Sequence, residues 1–319
     1  MTINTQRTAW IACAADDEYA LPLGVMLCSA LQNASKNYNW KILCLDGGVC
    51  ARNKRRLERV IERASVSSEI EFLSPDKRLL DNINIHGHLT QVTLFRLLAP
   101  RILENKTNRV IYFDCDLLVR KDISELWEKD FGGKPCLAVQ GYGAPYVSDP
   151  LGVPTWQEQG MASDTPCLNA GVLVMNLTEW KSLDIPHRVI DYLKKRKDKL
   201  PLNDQLGLNA ILAGNWGKLD PSWNRMNTIF RFDSWADSPF KDEIRPKLDL
   251  LLNDPGIIHY TGPSKPWIPH YVHPGGNEYI NYLKNSGWFH NQIEYLLWFA
   301  SKKLIYNKNI KKIIKFLFK

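Results

Sequence analysis

The sequence lacks the features that mark disulfide-rich, zinc-binding and membrane-spanning proteins. Its seven cysteines are odd in number and scattered, and no two form a Cys-x-x-Cys pair, which argues against a disulfide framework or a zinc site. No apolar run approaches the roughly 20 residues of a membrane-spanning helix. The apolar stretch 8–15 is too short for a secretory signal. We therefore expect a cytoplasmic protein whose thiols are mostly buried.

The chain has almost no net positive charge outside the C-terminal tail. The formal net charge is +7, and the segment 301–319, with seven lysines and no acid, supplies all of it. The body is close to neutral, which excludes a generally basic nucleic-acid-binding surface. Four apolar residues of the tail have helical spacing: Ile310, Ile313, Ile314 and Leu317. The pattern predicts that 281–319 is a helical, basic and aromatic segment that binds an anionic membrane surface or a partner; the alternative is an ordinary amphipathic helix packed on the body.

Apolar runs alternate with amphipathic stretches along most of the chain. Strands are expected at 9–15, 40–45, 69–73, 109–113, 136–140, 168–177 and from 256 onwards, where the strand runs into a turn. Helices are expected at 21–34, 51–64, 91–98, 186–197 and 203–213. The alternation predicts an α/β fold with a mainly parallel sheet flanked by helices. The polar loop 141–166 is long enough to be a functional lid, and 220–255 has no assignable pattern.

Two acidic clusters follow predicted strands, Asp16-Asp17-Glu18 after the first and Asp114-Cys115-Asp116 after the fourth. Ligands of such sheets bind beyond the carboxyl ends of the strands, so both clusters are expected at one site. Paired carboxylates at the end of a buried strand are costly unless something neutralises them.

Three interpretations of the second cluster are open: a solvent-facing loop, the nucleophile of a phosphatase of the haloacid-dehalogenase type, or a Mg²⁺ or Mn²⁺ clamp for a nucleoside diphosphate. The phosphatase pattern usually opens its domain, whereas about 110 residues precede this one. It also fits poorly because Leu118 stands two residues after the second aspartate.

Six blocks in order along the chain carry a resemblance to a known family. They are 14–31, 88–97, 109–119, 168–177, 202–212 and 257–267. The ordered set resembles the family 8 glycosyltransferases, retaining GT-A enzymes that include glycogenin and bacterial lipo-oligosaccharide galactosyltransferases. The resemblance implies a GT-A catalytic domain over 1–280, a UDP-sugar donor, a glycan or glycolipid acceptor and Mn²⁺ or Mg²⁺ as cofactor.

The resemblance also implies roles for individual residues. The metal ligands would be Asp114, Asp116 and His259. The donor-binding residues would be Ala14, Ala15, Asp16, Glu18, His88, Arg96, Asp114, Cys115, Asn169, Ala170, Gly171, Asp204, Gln205, Gly262 and Lys265, with Asp204 and Gln205 also catalytic. Lys265 would contact the diphosphate, and Asn169-Ala170-Gly171 would leave room for a sugar ring. Asp17 is expected to be a turn or helix-cap residue.

The sequence departs from the family pattern at two places. Glu18 stands where relatives often have Asn, and Gln140-Gly141 stand where relatives commonly carry an acid near the acceptor. Because an amide oxygen at Gln205 is a poor nucleophile, front-face attack is favoured over a double displacement.

Two other functions remain open. One is a sugar nucleotidyltransferase, which would need a Gly-rich basic loop in place of the first acidic cluster. The other is a non-catalytic carbohydrate-binding protein of the same fold.

Overall fold

The computed structural model describes residues 7–83, 90–196, 203–268 and 273–306. Within these ranges the strands are β1 Arg7–Ala15, β2 Tyr38–Asp46, β3 Ser68–Leu73, β4 Arg109–Phe113, β5 Leu117–Val119, β6 Cys136–Gln140, β7 Leu168–Asn176, β8 Gly217–Lys218, β9 Arg225–Met226 and β10 Ile257–His259. The α-helices are α1 Ala20–Gln32, α2 Ala51–Glu62, α3 Ala99–Leu103, α4 Ser124–Trp127, α5 Leu177–Ser182, α6 Ile185–Lys195, α7 Asn203–Leu212, α8 Pro239–Ile244, α9 Leu248–Asn253, α10 Gly276–Asn285 and α11 Gln292–Tyr306.

A seven-stranded sheet with the order β3-β2-β1-β4-β7-β6-β8 forms the centre. Only β7 runs antiparallel to its neighbours within this sheet, so the prediction of a mixed, mainly parallel sheet is confirmed. Phe113 at the end of β4 pairs with Val172 near the start of β7. The first residues of β7 therefore lie at the same sheet edge as the last residues of β4.

Side chains of the central strands are buried on both faces of the sheet, because helices cover both. Ile11, Ile42 and Ile111 belong to one apolar cluster, and alternate residues such as Leu43 and Tyr112 belong to the cluster on the other face. This two-sided burial explains why the strands read as continuous apolar runs. Six of the seven cysteines are buried as expected, and Cys50 is exposed.

Three segments differ from simple expectation. Residues 91–97 form a 3₁₀-helix, and α3 starts anew with Pro100 in its first turn, a position that proline favours. The loop 141–166 is not open, since its Val147 and Val153 are buried in a small cluster of their own. The unassigned segment 220–255 consists of short 3₁₀ turns, β9, α8 and α9, which are too brief to show a periodic pattern.

A second sheet of three strands, β5-β10-β9, carries the chain back to the edge where β4 ends. In the tail, α11 confirms a helix as far as Tyr306, with Ile293, Leu296 and Leu297 exposed along it. The residues 307–319, with the four apolar positions predicted to share a face, lie outside the described residues. Across the described ranges, no helix is long and apolar enough to cross a bilayer.

Candidate active site

The Asp114-Cys115-Asp116 turn joins β4 to β5 and is fixed by the strands beside it. The backbone N–H of Asp114 donates to the carbonyl oxygen of Gly171 at 2.9 Å. The Cys115 thiol is buried and donates to the carbonyl oxygen of Ala14 at 3.1 Å. The cysteine side chain is thus used inside the sheet, while the two aspartates on either side of it are free to face the sheet edge.

His259 ends β10 and meets both aspartates. Its Nε2 lies 3.2 Å from Asp116 Oδ1 and 4.0 Å from Asp114 Oδ2. One ligand atom from each of the three residues lies within 4.8 Å of the other two. The structure therefore brings together the three residues that the sequence predicted as metal ligands.

The chemistry of these donors fits Mn²⁺ or Mg²⁺. Two carboxylates and one imidazole are ligands that such ions accept, whereas soft ions prefer thiolates. The Cys115 sulfur is turned towards Ala14. The spacings of 3.2 and 4.0 Å between the donor atoms suit donors around one ion whose metal–ligand bonds are about 2.0–2.6 Å.

Lys265 neutralises the far side of Asp116. Its Nζ lies 2.5 Å from Asp116 Oδ2 and donates to the carbonyl oxygen of Tyr260 at 2.6 Å. Burial by itself would raise the pKa of Asp116, but the charge of Lys265, with the His259 ring beside it, outweighs burial and holds the pKa below its ordinary value. Gly262, three residues earlier, has φ of 85°, a left-handed conformation that glycine adopts without strain.

Arg96 joins Asp114 to a third carboxylate, that of Asp204, in the adjoining interior. Its Nη2 donates to Asp114 Oδ1 at 2.8 Å, and its Nε lies 2.6 Å from Asp204 Oδ2 in an ion pair. The guanidinium stacks over the ring of Tyr112 and also donates to the carbonyl oxygen of Ala170.

The pKa values of Arg96 and Asp204 both lie above their ordinary values. Burial disfavours the charge on Arg96, yet Asp114 and Asp204 keep its pKa above the ordinary value. Burial raises the pKa of Asp204, and Arg96 offsets part of that effect. Arg96 is therefore a permanent cation that links the metal-ligand turn to α7.

The Asn169-Ala170-Gly171 segment begins β7 beside Gln205 of α7. Asn169 Nδ2 donates to Gln205 Oε1 at 3.0 Å, and the Ala170 N–H donates to the same oxygen at 3.2 Å. A Cβ on Gly171 would lie 2.3 Å from His259 Cε1. The space expected here for a sugar ring is, at Gly171, filled by the imidazole of His259.

The first acidic cluster has a different environment. Asp16 Oδ1 accepts from the Tyr19 N–H at 3.0 Å. Asp17 Oδ1 accepts from the Cys50 N–H at 2.9 Å and from Asn53 Nδ2 at 2.8 Å, so it ties the loop after β1 to the start of α2. Glu18 is exposed, and Ala14 and Ala15 are buried at the end of β1.

Two residues remain to be placed: His88, which was predicted to bind the donor, and Asn224, which was not predicted. His88 lies outside the described residues. Asn224, which the sequence reasoning missed, is fully buried, and its Oδ1 lies 2.8 Å from His259 Nδ1. It comes from the segment 220–255, where no motif or periodic pattern singled it out.

Comparison with known proteins gives one consistent result. Residues 10–269 match glycosyl transferase family 8. General stress protein A of Bacillus subtilis (strain 168) is 31% identical over 281 residues, which cover 87% of this chain and 94% of that protein. The lipopolysaccharide 1,2-glucosyltransferase of Escherichia coli (strain K12) is 26% identical over 297 residues, 90% of this chain and 80% of that protein.

The architecture agrees with this match. The crystal structure of galactosyltransferase LgtC with donor and acceptor sugar analogues superposes with a TM-score of 0.72 at 24% identity, covering 86% of this chain and 95% of that one. The predictions of the family and of the GT-A fold are both confirmed. On this evidence the chain belongs to glycosyl transferase family 8 and has a GT-A fold.

Proposed function

We propose that this protein is a retaining hexosyltransferase that moves galactose or glucose from a UDP-sugar to a glycan or glycolipid acceptor with Mn²⁺ or Mg²⁺. Family membership supports a hexosyltransferase in general. The observation that carries the finer proposal is the convergence of Asp114, Asp116 and His259 within 4.8 Å at the sheet edge. Such a cluster, with the buried Lys265 beside it, is suited to binding a diphosphate through a cation.

Leaving-group stabilisation would come from charge gathered at this edge. When bound, the divalent cation supplies a Lewis acid that stabilises negative charge developing on the diphosphate. Asp114, Asp116 and His259 would hold that cation, and Lys265 would add a second positive charge on the same side. Preorganised charges of this kind lower the barrier because they need no reorganisation during the reaction.

The environment of Asp204 and Gln205 supports front-face attack. Asp204 is buried and its Oδ2 faces Arg96 at 2.6 Å, while Gln205 Oε1 accepts from Asn169 and Ala170. Neither oxygen is placed as a free nucleophile for a double displacement. Gln205 would instead stabilise the cation-like sugar ring, and the departing phosphate oxygen would take the proton of the acceptor hydroxyl.

The acceptor proposal rests on relatives and on the tail. Two relatives are named as a lipopolysaccharide 1,2-glucosyltransferase and a lipopolysaccharide 1,3-galactosyltransferase, so we favour a lipid-linked glycan. We propose that 1–280 is the catalytic domain and that 281–319 attaches the protein to the cytoplasmic face of an anionic membrane. The exposed Ile293, Leu296 and Leu297 and the lysines of 301–319 support an interfacial role.

A screen of UDP-sugars tests the proposed reaction. Purified full-length protein is incubated with each UDP-sugar, with and without Mn²⁺ or Mg²⁺, and UDP release is measured. We expect metal-dependent release from UDP-galactose or UDP-glucose, and about 10²–10³-fold less from an Asp116→Asn variant. Release that is equal without metal, or equal in the variant, would contradict the proposal.

Vesicle flotation tests the tail separately. The full chain and a chain truncated before residue 301 are floated with phosphatidylglycerol-containing vesicles and with neutral phosphatidylcholine vesicles. We expect the full chain to float with the anionic vesicles and the truncated chain to stay behind. Equal flotation of the two chains would show that 301–319 does not attach the protein to the membrane and would leave the catalytic proposal intact.

A further inference from the structure

A row of side-chain amides connects the metal-ligand histidine to the residue proposed at the sugar. Asn224 Oδ1 lies 2.8 Å from His259 Nδ1, and Asn224 Nδ2 donates to Asn169 Oδ1 at 2.8 Å. Asn169 Nδ2 in turn donates to Gln205 Oε1 at 3.0 Å. We propose that Asn224 is a positioning residue that keeps the proton of His259 on Nδ1, leaves Nε2 for a metal, and ties His259 to Gln205. The roles of His259 and Gln205 in this proposal rest on the proposed function.

Backbone amides fix the orientation of the first two side-chain amides. A backbone N–H can only donate, so the group that it meets must be an acceptor. The Gly171 N–H donates to Asn169 Oδ1 at 3.0 Å, and the Ala170 N–H donates to Gln205 Oε1 at 3.2 Å. The oxygen of Asn169 therefore faces Gly171, and its NH₂ group faces Gln205.

The hydrogen-bond partners also fix the orientation of the Asn224 amide and the position of the proton on His259. Because Asn169 presents an oxygen to Asn224, the nearer atom of Asn224 must be its NH₂ nitrogen. The oxygen of Asn224 is then left to face His259, and an oxygen in that position needs a donor. Nδ1 of His259 must carry a proton, and in the neutral ring Nε2 has the free lone pair. A neutral imidazole binds metals through such an unprotonated nitrogen.

The surroundings of Asn224 offer His259 no replacement for the hydrogen-bond acceptor that Asn224 supplies. Asn224 is 0% and His259 is 4% exposed, so bulk water cannot replace the lost partner. Asn224 immediately precedes β9, which pairs in parallel with β10 and so with the strand that ends at His259. Gly171 also lies against Cε1 and Nδ1 of the imidazole, where no Cβ would fit. Asn224 and His259 are thus held in register by one small sheet.

Two variants of Asn224 separate the two contacts that it makes. Asn224→Ala removes the acceptor for His259 and the donor for Asn169. Asn224→Asp keeps an acceptor for His259 but offers only a carboxylate to Asn169 Oδ1. The Mn²⁺ dissociation constant is measured without sugar nucleotide by electron paramagnetic resonance, and kcat is measured with the donor that the screen identifies.

For Asn224→Ala we expect Mn²⁺ binding to weaken by about 10–100-fold, the usual effect of losing a residue that orients a metal ligand. For Asn224→Asp we expect Mn²⁺ affinity at least equal to wild type but a lower kcat, because the link to Asn169 and Gln205 is broken. A merely structural role for Asn224 would lower thermal stability in both variants and would leave the Mn²⁺ affinity of the folded protein unchanged. That result would overturn the proposal.

Nitrogen NMR of ring-¹⁵N-labelled histidine reports the proton position without any variant at Asn224. The metal-free wild-type protein is used, and a His259→Gln chain identifies the His259 signals. We expect a proton on Nδ1 of His259, and its loss as the dominant form in Asn224→Ala. An unprotonated Nδ1 in the wild-type protein would overturn the proposal, even if Asn224→Ala failed to fold. Wild-type protein that has this proton and binds Mn²⁺ but releases no UDP from any UDP-sugar would contradict the proposed function and support the positioning role.

Discussion

The two acidic clusters at the carboxyl edge of the sheet differ in the partners that their carboxylates have. Asp16 and Asp17 accept hydrogen bonds from the nearby Tyr19 N–H and from the start of α2. Asp114 and Asp116 face charged or ionisable side chains from three other elements, namely Arg96, His259 and Lys265. The difference teaches that a carboxylate satisfied by backbone N–H groups shapes a loop, whereas carboxylates that gather distant cationic side chains build a site.

Removing Arg96, which pairs with Asp114 of the second cluster, should have the largest effect on the free energy of unfolding. Arg96→Met leaves the buried Asp204 carboxylate without its cation, and losing one partner of a buried ion pair costs about 3–5 kcal/mol. Urea denaturation measures the change in the free energy of unfolding. Arg78→Met is the matched control, because Arg78 and Asp76 form an exposed ion pair, and its midpoint should match wild type. Equal midpoints for Arg96→Met and wild type would contradict the buried pairing.

Neutralising one metal-site carboxylate should have the next largest effect, on transfer. Asp116→Asn keeps the side-chain volume but removes the charge facing His259 and Lys265, and we expect UDP release to fall about 10²–10³-fold, as for other preorganised charges. Asp17→Asn in the first cluster should leave the rate unchanged. If the two variants lose activity equally, the distinction between the clusters fails.

The Gly171→Ala substitution should have an intermediate effect on stability and on metal binding. Its Cβ would lie 2.3 Å from Cε1 and 2.7 Å from Nδ1 of the His259 ring, and overpacking of this kind costs about 1–3 kcal/mol. Gly171→Ala should therefore lower both the free energy of unfolding and the affinity for Mn²⁺. Gly143→Ala is the control, since nothing lies within 4 Å of its added Cβ. Normal Mn²⁺ binding by Gly171→Ala would show that the ring is not packed as described.

Loss of the Asp17 hydrogen bonds in the first cluster should have the smallest effect on stability. Asp17→Ala removes the acceptor for the Cys50 N–H and for Asn53 at the start of α2, and a hydrogen bond of this kind contributes about 1 kcal/mol. We expect a slightly lower melting temperature, measured by differential scanning calorimetry, and full metal-dependent UDP release. A variant with normal stability but no activity would move Asp17 into the catalytic machinery.

The fold was predictable where burial left a simple pattern. β1, β2 and β4 are apolar on both faces, so each appears in the sequence as a continuous run. The direction of β7 was not predictable, because a fully apolar run is the same whichever way the strand runs. That direction matters, since it places Asn169 and Gly171 beside Asp114.

Some residues of the candidate site were predictable from the sequence and others were not. Asp114, Asp116 and His259 could be predicted because the blocks that contain them resemble a known family, and the structure brings them together. Asn224 could not, because it lies among short turns and its partner His259 is 35 residues away along the chain. Spacing in the sequence also gave no sign that the small residue at Gly171 makes room for an imidazole.

The most direct test of the central claim is the position of manganese in crystals grown with Mn²⁺ and UDP, located by anomalous diffraction. We expect one anomalous peak within coordination distance of Asp114, Asp116 and His259 Nε2. A peak at Asp16, Asp17 or Glu18, or no peak beside His259 although UDP is bound, would contradict the account.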